Sequence, residues 1–317
     1  MSKHFTRPDV EAFLAFLNSQ TGPKMHEVAA PEARQMMAMV GQLAEQPLGD
    51  LAIIRDIAIP GPAGNIPARI FDAQESRIAG PVMVFYHGGG FVIGDLDIYG
   101  SYCAEVARQL DLPVISIDYR LAPEHPFPAP TDDCEAAARW IATSPAELGY
   151  DVTGLIPSGD SAGGNLTIVT TMALRDNPAD VPVILQHPIY PVVSDSGDWS
   201  SITDFAEGHL LTTDSMTWFD AQYAPDTTTF RGAPLNFDQA GMPPTLVTTA
   251  SLDPLRDQGI AYYEKLKEAD VRAEYRSAEG NIHGHITLRK AIPSSAEDVK
   301  GNMDALKAML AEILVTA

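Results

Sequence analysis

Cysteine is scarce. The 317 residues contain two, Cys103 and Cys134, and no C-x-x-C. That excludes a disulfide-built scaffold and a thiolate zinc cage. Both thiols fall in helix-like stretches and are expected to be unpaired and reduced. No run of 18 consecutive apolar residues occurs, so no segment is expected to span a membrane. The start, MSKHFTRPDV, lacks the apolar core of a signal peptide and reads as a cytoplasmic start. Cations are also in short supply: 21 Lys and Arg against 42 Asp and Glu leave a formal charge of −21. Nucleic acids and anionic membranes both bind through clustered Lys and Arg, so neither is an expected partner. The acidity fits a well-solvated surface, the preferred reading. Adaptation to salty surroundings, where screening relieves self-repulsion, is the sharper alternative. There is no H-E-x-x-H and no Cys/His spacing for a metal, and no G-K-[ST] or G-x-G-x-x-G for a phosphate.

What is present is ordinary in bulk and specific in pattern. Hydrophobic residues make up 45% and charged residues 20%, enough for a sizeable core in one large α/β domain or two small ones. Residues 8–47 read as helical, with Val10, Phe13, Leu14 and Leu17 and then Met36, Met37, Val40 and Leu43 at helical spacing. From residue 51, AIIRDIAIPGPAGNIPARIF reads as an antiparallel hairpin around a Gly/Pro/Asn turn. Short apolar runs then alternate with helical stretches. The strand candidates are 81–87, 113–120, 154–159, 181–190, 245–252 and 273–279; the helices lie near 99–110, 131–143, 161–175, 256–269 and 295–314. Such alternation predicts a mostly parallel sheet covered on both faces, with ligands beyond the C-terminal strand ends. Pro157 fits poorly in a central strand and is expected at its end or at an irregularity.

Residues 157–166, PSGDSAGGNL, join a strand candidate to a helix candidate. Glycines two residues either side of Ser161 remove the side chains that would collide in so tight a turn. This is the G-x-S-x-G pattern, which lifts a serine hydroxyl clear of a sheet. Alone it is weak, arising by chance in about one chain in ten of this length. A serine needs a base, a carboxylate to orient that base, and fixed N–H donors for the developing oxyanion. His87-Gly88-Gly89-Gly90, after the 81–87 strand, offers backbone amides that a substrate oxygen can approach closely. A chance H-G-G-G is far rarer, roughly a few per thousand chains. Both motifs together, each after a strand, are strong.

HGGG, DYRLAPEHPFPAPTDDC (118–134), GDSAGGN and PPTLVTTASLDPLRDQG (243–259) resemble, in order, the hormone-sensitive-lipase-like esterases of the α/β-hydrolase superfamily. The likeness runs from about residue 80 to 290 and is to the branch with aspartate, here Asp160, before the serine. It implies an α/β-hydrolase fold: a mostly parallel twisted sheet of about eight strands, helices on both faces and a helical cap. Residues 1–50 and about 196–235 would build the cap, with 51–317 as the catalytic domain. It implies no cofactor and hydrolysis of a small carboxylic ester. Ser161 would be the nucleophile, Asp253 the acid and His283 the base, with the N–H groups of Gly88, Gly89 and Ala162 as the oxyanion hole. Family members are often dimers, though no segment here establishes a homodimer.

The residues agree with that assignment. Chain order in this fold is Ser, Asp or Glu, then His. Asp253 follows the 245–252 strand directly, whereas its rival Asp257 lies inside the next helix pattern. His283 and His285 are two residues apart with Gly284 between; the family pattern puts His283 at the base and His285 where an aromatic usually sits, as a packing substitute. A second ionisable group near the base is the sharper reading of His285. His87 is expected to orient its own turn, His125 to be structural, and His187 and His209 to be satisfied polar groups. Asp160 is expected to hydrogen-bond near Ser161 rather than tune it electrostatically. Trp218 and Phe219 are read as cap packing, with an acyl-pocket lining as the alternative. An amidase or carbamate hydrolase would use the same machinery. A non-catalytic receptor on this scaffold is the rival of another class, disfavoured because all three triad candidates are retained. Caps rich in Met, Phe and Leu predict short- to medium-chain acyl groups.

Overall fold

The structure, a computed structural model, describes residues 4–194 and 198–316. Residues 1–3 and 196–197 of the two expected cap segments therefore lie outside it. Eight strands form one sheet in the order β1-β2-β4-β3-β5-β6-β7-β8. The hairpin is β1 (Ile53–Gly61) and β2 (Gly64–Asp72), and β2 also pairs antiparallel with β4 (Val114–Ile117). β3 (Ala79–Tyr86), β5 (Asp151–Asp160), β6 (His187–Ile189), β7 (Thr245–Leu252) and β8 (Ala273–Ile282) continue it in parallel.

The central strands are apolar on both sides because both sides are covered. In β3, Val82, Val84 and Tyr86 join one core cluster while Met83 and Phe85 join another, the period-2 alternation of a strand. The first cluster takes in Cys134, Ala137, Ala138 and Ile141 of α4 (Ala129–Ala142) and Leu166 of α5 (Ala162–Asp176). The second takes in Tyr102, Cys103 and Val106 of α3 (Leu96–Leu110), with Val299, Met303 and Leu306 near the C-terminus. Cys103 and Cys134 are free and buried, as expected, and burial pushes the Cys103 thiol up to about 12.

Two expectations need correcting. The 181–190 run forms a strand only at His187–Ile189, with two isolated bridges before it, Val183 to Leu155 and Gln186 to Thr245. Ser158 lies three positions after Leu155, whereas its partner His187 lies four positions after Val183, the partner of Leu155, so one extra residue bulges out. Leu155 exchanges both its backbone bonds with this segment. By alternation Pro157 faces the same side, so its missing N–H falls where the ladder slips. The 8–47 stretch is two helices, α1 (Pro8–Asn18) and α2 (Ala30–Ala44), separated by a connection containing Gly22 and Pro23.

The N-terminal segment meets α6 (Ser200–Asp204), α7 (Thr213–Tyr223) and the chain between them. Asn18 Nδ2 donates to the Gly208 carbonyl at 3.0 Å, and His26 lies 3.4 Å from Ser215 Oγ. α8 (Arg256–Glu268) and α9 (Ser295–Thr316) complete the chain. Just beyond α2, Glu45 Oε1 accepts a hydrogen bond from Arg289 Nε at 2.9 Å and forms an ion pair with Nη2 at 2.8 Å. Arg289 also donates to Ser101 Oγ at 3.0 Å, and the two charged side chains are 4% and 5% exposed. Removing one partner of such a pair leaves an uncompensated buried charge. Arg289→Met is therefore expected to lower unfolding free energy by about 3–5 kcal/mol, while Glu45→Leu with Arg289→Met recovers most of that loss, as read by chemical denaturation.

Candidate active site

Ser161 sits between β5 and α5 with φ 56° and ψ −115°, in a region a side chain occupies only under constraint. Its neighbours show what imposes it. A Cβ on Gly163 would lie 1.9 Å from the Tyr86 carbonyl oxygen, and one on Gly159 2.3 Å from the same atom. Only hydrogen fits at either position. The Ser161 N–H donates to the Ile189 carbonyl at 2.9 Å, which fixes the turn against β6.

Two further strand ends bring the remaining groups. Asp253 follows β7 and is wholly buried; its Oδ1 accepts the Leu255 N–H at 2.8 Å. His283 follows β8, with Nδ1 2.8 Å from Asp253 Oδ2 and Nε2 2.9 Å from Ser161 Oγ. The carboxylate can hold Nδ1–H, which leaves Nε2 as the acceptor facing the hydroxyl. Asp257 is elsewhere, bound to Ser200 Oγ, the Ser201 N–H and Arg256, and so joins α6 to α8.

The oxyanion assignment changes. The Gly88 N–H donates to Asp160 Oδ1 at 2.7 Å and is not available to a substrate. The next two amides differ. His87 Nδ1 is 2.7 Å from the Gly88 carbonyl oxygen, and the Gly89 carbonyl accepts from Val92 and Ile93 at 3.0 and 2.9 Å. In a trans peptide the following N–H points opposite to the carbonyl. The N–H groups of Gly89 and Gly90 are therefore turned outward from these anchored oxygens. Among the described residues, no acceptor takes them or the Ala162 N–H at the start of α5. The amides left open beside Ser161 are those of Gly89, Gly90 and Ala162, whereas that of Gly88, expected among them, is engaged. The motif contains all three glycines, and nothing in it says which amide is engaged from elsewhere in the chain.

Asp160 engages it. Besides Gly88, its carboxylate accepts the Tyr99 hydroxyl at 3.1 Å and faces the Tyr190 hydroxyl at 3.5 Å. A Cβ on Gly88 would fall 2.5 Å from Asp160 Oδ2, so this contact too requires glycine. Burial pushes the carboxyl up to about 6, opposed by His283, the Gly88 N–H and the Tyr99 hydroxyl. Neither tyrosine stood out in the sequence, since a tyrosine on an apolar face reads as core.

Among the described residues, none of the other histidines hydrogen-bonds to Ser161 Oγ or the Asp253 carboxylate. His87 stacks on Tyr119, with ring centroids 4.3 Å apart, and burial lowers it to about 4. His187 is buried between Ser158 and Thr248 and lowered to about 3. His285 is buried, its pKa lowered by burial; Nδ1 lies 3.0 Å from the Ile282 carbonyl and the ring packs edge-on against Tyr190. That is the packing reading. His125 is exposed, and His209 Nδ1 lies 2.8 Å from the Glu207 carbonyl. Phe219 of α7 lies on Gly90, where a Cβ would meet its ring at 2.2 Å, so it borders the site as well as packing on Trp218. No group of three or more His, Cys, Asp or Glu among the described residues is placed to hold a metal ion. Nor is any helix among them long and apolar enough to cross a membrane.

A family model described as alpha/beta hydrolase fold matches residues 83–287. The chain belongs to that family. The resemblance to its hormone-sensitive-lipase-like branch holds. Carboxylesterase NlhH of Mycobacterium tuberculosis is 35% identical over 318 residues, covering 96% of this chain and 97% of its own. Ethyl acetate hydrolase of Pseudomonas putida is 31% identical over 315 residues, covering 95% and 98%. A serine-to-alanine mutant of LAE6, an α/β hydrolase from the metagenome of Lake Arreo, superposes with a TM-score of 0.92 at 34% identity, covering 97% and 99%.

The raised pKa of Asp160 gives a pH prediction. The folded carboxyl binds its proton more readily than an unfolded one, so this group's contribution to stability increases as pH falls from about 6 towards 4. Acid loss of activity through Asp160 is therefore separable from unfolding. Protonation turns its charge-assisted bonds into weaker neutral ones and loosens Gly88. Asp160→Asn should remove one ionisation from the acid limb of the kcat/KM profile and lower the plateau by about tenfold, the value of about 1.4 kcal/mol. Asp160→Ala should cost about 100-fold, as expected for loss of placement. An acid limb unchanged in Asp160→Asn would remove this group from the profile.

Proposed function

We propose that Ser161, His283 and Asp253 act as nucleophile, general base and orienting acid in the hydrolysis of a small carboxylic ester. The chain is a carboxylic-ester hydrolase of the α/β fold. The observation that carries the residue assignment is the continuous chain of contacts from Ser161 Oγ through both nitrogens of His283 to Asp253, at 2.9 and 2.8 Å. His283 Nε2 takes the hydroxyl proton as Oγ attacks the ester carbonyl. The carbonyl oxygen gains charge and is held by the N–H groups of Gly89, Gly90 and Ala162, the last carrying the partial positive charge of a helix start. His283, now an imidazolium steadied by Asp253, gives its proton to the leaving alcohol. Water, deprotonated by the same nitrogen, then releases the acid and restores Ser161.

The N-terminal segment and residues from about 198 to 235 are proposed as the cap. Phe219 on Gly90 supports this on the oxyanion side; on the histidine side a Cβ on Gly284 would lie 3.5 Å from Leu210 Cδ2. Walls so close to both catalytic loops favour short- to medium-chain acyl groups. A cytoplasmic location and a small-molecule ester partner complete the reading.

Ser161→Ala and His283→Ala should each fall below about one part in a thousand of parental activity while remaining folded. Asp253→Asn should lose up to about four orders of magnitude. Asp257→Asn should stay near parental, because that carboxylate serves α6 and α8. His285→Phe should stay active, with at most a modest shift in the acid limb of the rate profile. The reverse order for the two histidines, in folded variants, would move the base to His285. Over a series of chromogenic esters, kcat/KM should be highest for acetyl or butyryl and decline beyond medium chains. Efficient turnover of emulsified long-chain triglyceride would contradict the closed cap.

A further inference from the structure

The segment Gly280–Asp298 carries His283 from the end of β8 into α9, and the N-terminal segment grips it at two places. Beyond α2, Glu45 holds Arg289. Ahead of α1 the grip is denser. Arg7 forms a bidentate pair with Asp298 in the first turn of α9, Nη1 to Oδ2 at 2.7 Å and Nη2 to Oδ1 at 2.9 Å. Its Nε donates to the Glu279 carbonyl at 2.7 Å, and its backbone N–H to the Gly280 carbonyl at 3.2 Å. Asp9 accepts the Ser294 N–H at 2.8 Å and faces the Ser294 hydroxyl at 3.0 Å. Phe5 covers Gly280, whose φ of 72° turns the chain; a Cβ there would meet the Phe5 ring at 2.7 Å.

Asp298 passes this grip towards the site. Its Oδ2, bound by Arg7, also accepts Asn281 Nδ2 at 2.9 Å. Asn281 is wholly buried and two residues before His283, and it donates to Ser295 Oγ at 3.0 Å as well. The Arg7 and Asp298 side chains are only 19% and 14% exposed, and a bidentate guanidinium–carboxylate pair fixes direction as well as distance. The root of α1 is thus tied through one carboxylate to the backbone immediately ahead of the base.

We infer that Arg7 and Asp298 are positioning residues for His283, so that the first residues of the N-terminal segment hold the general base in line with Ser161. The inference rests on the assignment of His283 as base. Misplacement on the order of 1 Å can cost a reaction about 100-fold, so loosening this clamp acts on turnover before it acts on binding.

The experiment compares Arg7→Met, Asp298→Asn and the double variant in the full-length protein. Active sites are titrated with a nitrophenyl phosphonate, so that partly unfolded protein is not counted, and turnover is measured with a butyryl nitrophenyl ester. A second readout is the downfield proton resonance of His283 Nδ1–H, which reports the bond to Asp253 without substrate. We expect kcat per titrated site to fall by about tenfold or more in each single variant, with KM within about twofold. The double variant should be no worse than the weaker single, because the two residues act as one unit. The resonance should broaden or vanish in all three. Parental kcat per site with an unchanged resonance in both single variants would overturn the inference and leave the pair a stability element only. Ser161→Ala and His283→Ala run beside them: activity in either would sink the triad assignment itself, a failure distinguishable from that of the clamp.

Discussion

The constraint on which this site depends is the approach of the β5–α5 turn to the last carbonyl of β3. Ser161 adopts a backbone conformation that costs about 1–3 kcal/mol on its own. It persists because Gly159 and Gly163 let the turn press onto the Tyr86 oxygen, leaving no relaxed alternative. The same strand then runs into His87–Gly90. One contact therefore sets both the height of Ser161 and the start of the His87–Gly90 loop beside it. Asp160 closes the arrangement by taking the Gly88 amide from one residue before Ser161.

Burial and partners together set His283 apart from the other enclosed histidines. His87, His187 and His285 are fully enclosed, and each is pushed towards the neutral form. His283 is the one set between a carboxylate and a hydroxyl. Two residues away, His285 turns its Nδ1 to a backbone carbonyl, and Gly284, at φ 76°, makes that divergence possible. Chemistry in this fold is thus assigned by environment more than by residue type.

The surface acidity stands apart from the site. Many carboxylates lie in exposed pairs with arginine, such as Arg69 with Asp56 and Asp97, and such pairs contribute little each. The buried pairs are different. Glu45–Arg289 and the shielded Arg7–Asp298 both join the N-terminal segment to the stretch after β8, so that segment is bound to the catalytic body at both ends.

Much of this was legible in the sequence because it is encoded locally. Alternating apolar runs gave the sheet, glycine spacing gave the strained serine turn, and the strand ending at Leu252 pointed to Asp253 over Asp257. These signals depend on steric rules that act over a few residues, and the tertiary structure left them in place. What it alone decided depends on partners far apart in the chain. The H-G-G-G motif names three glycines, but a carboxylate 72 positions on commits the first amide and leaves Gly89 and Gly90 as the outward pair. The 181–190 run has a strand's composition, yet its ladder slips opposite Pro157 and only His187–Ile189 pairs regularly. Arg7 and Asp298 are 291 residues apart. No periodicity links such groups: local sequence fixes the conformations a segment can adopt, and only packing brings one segment's donors to another's acceptors.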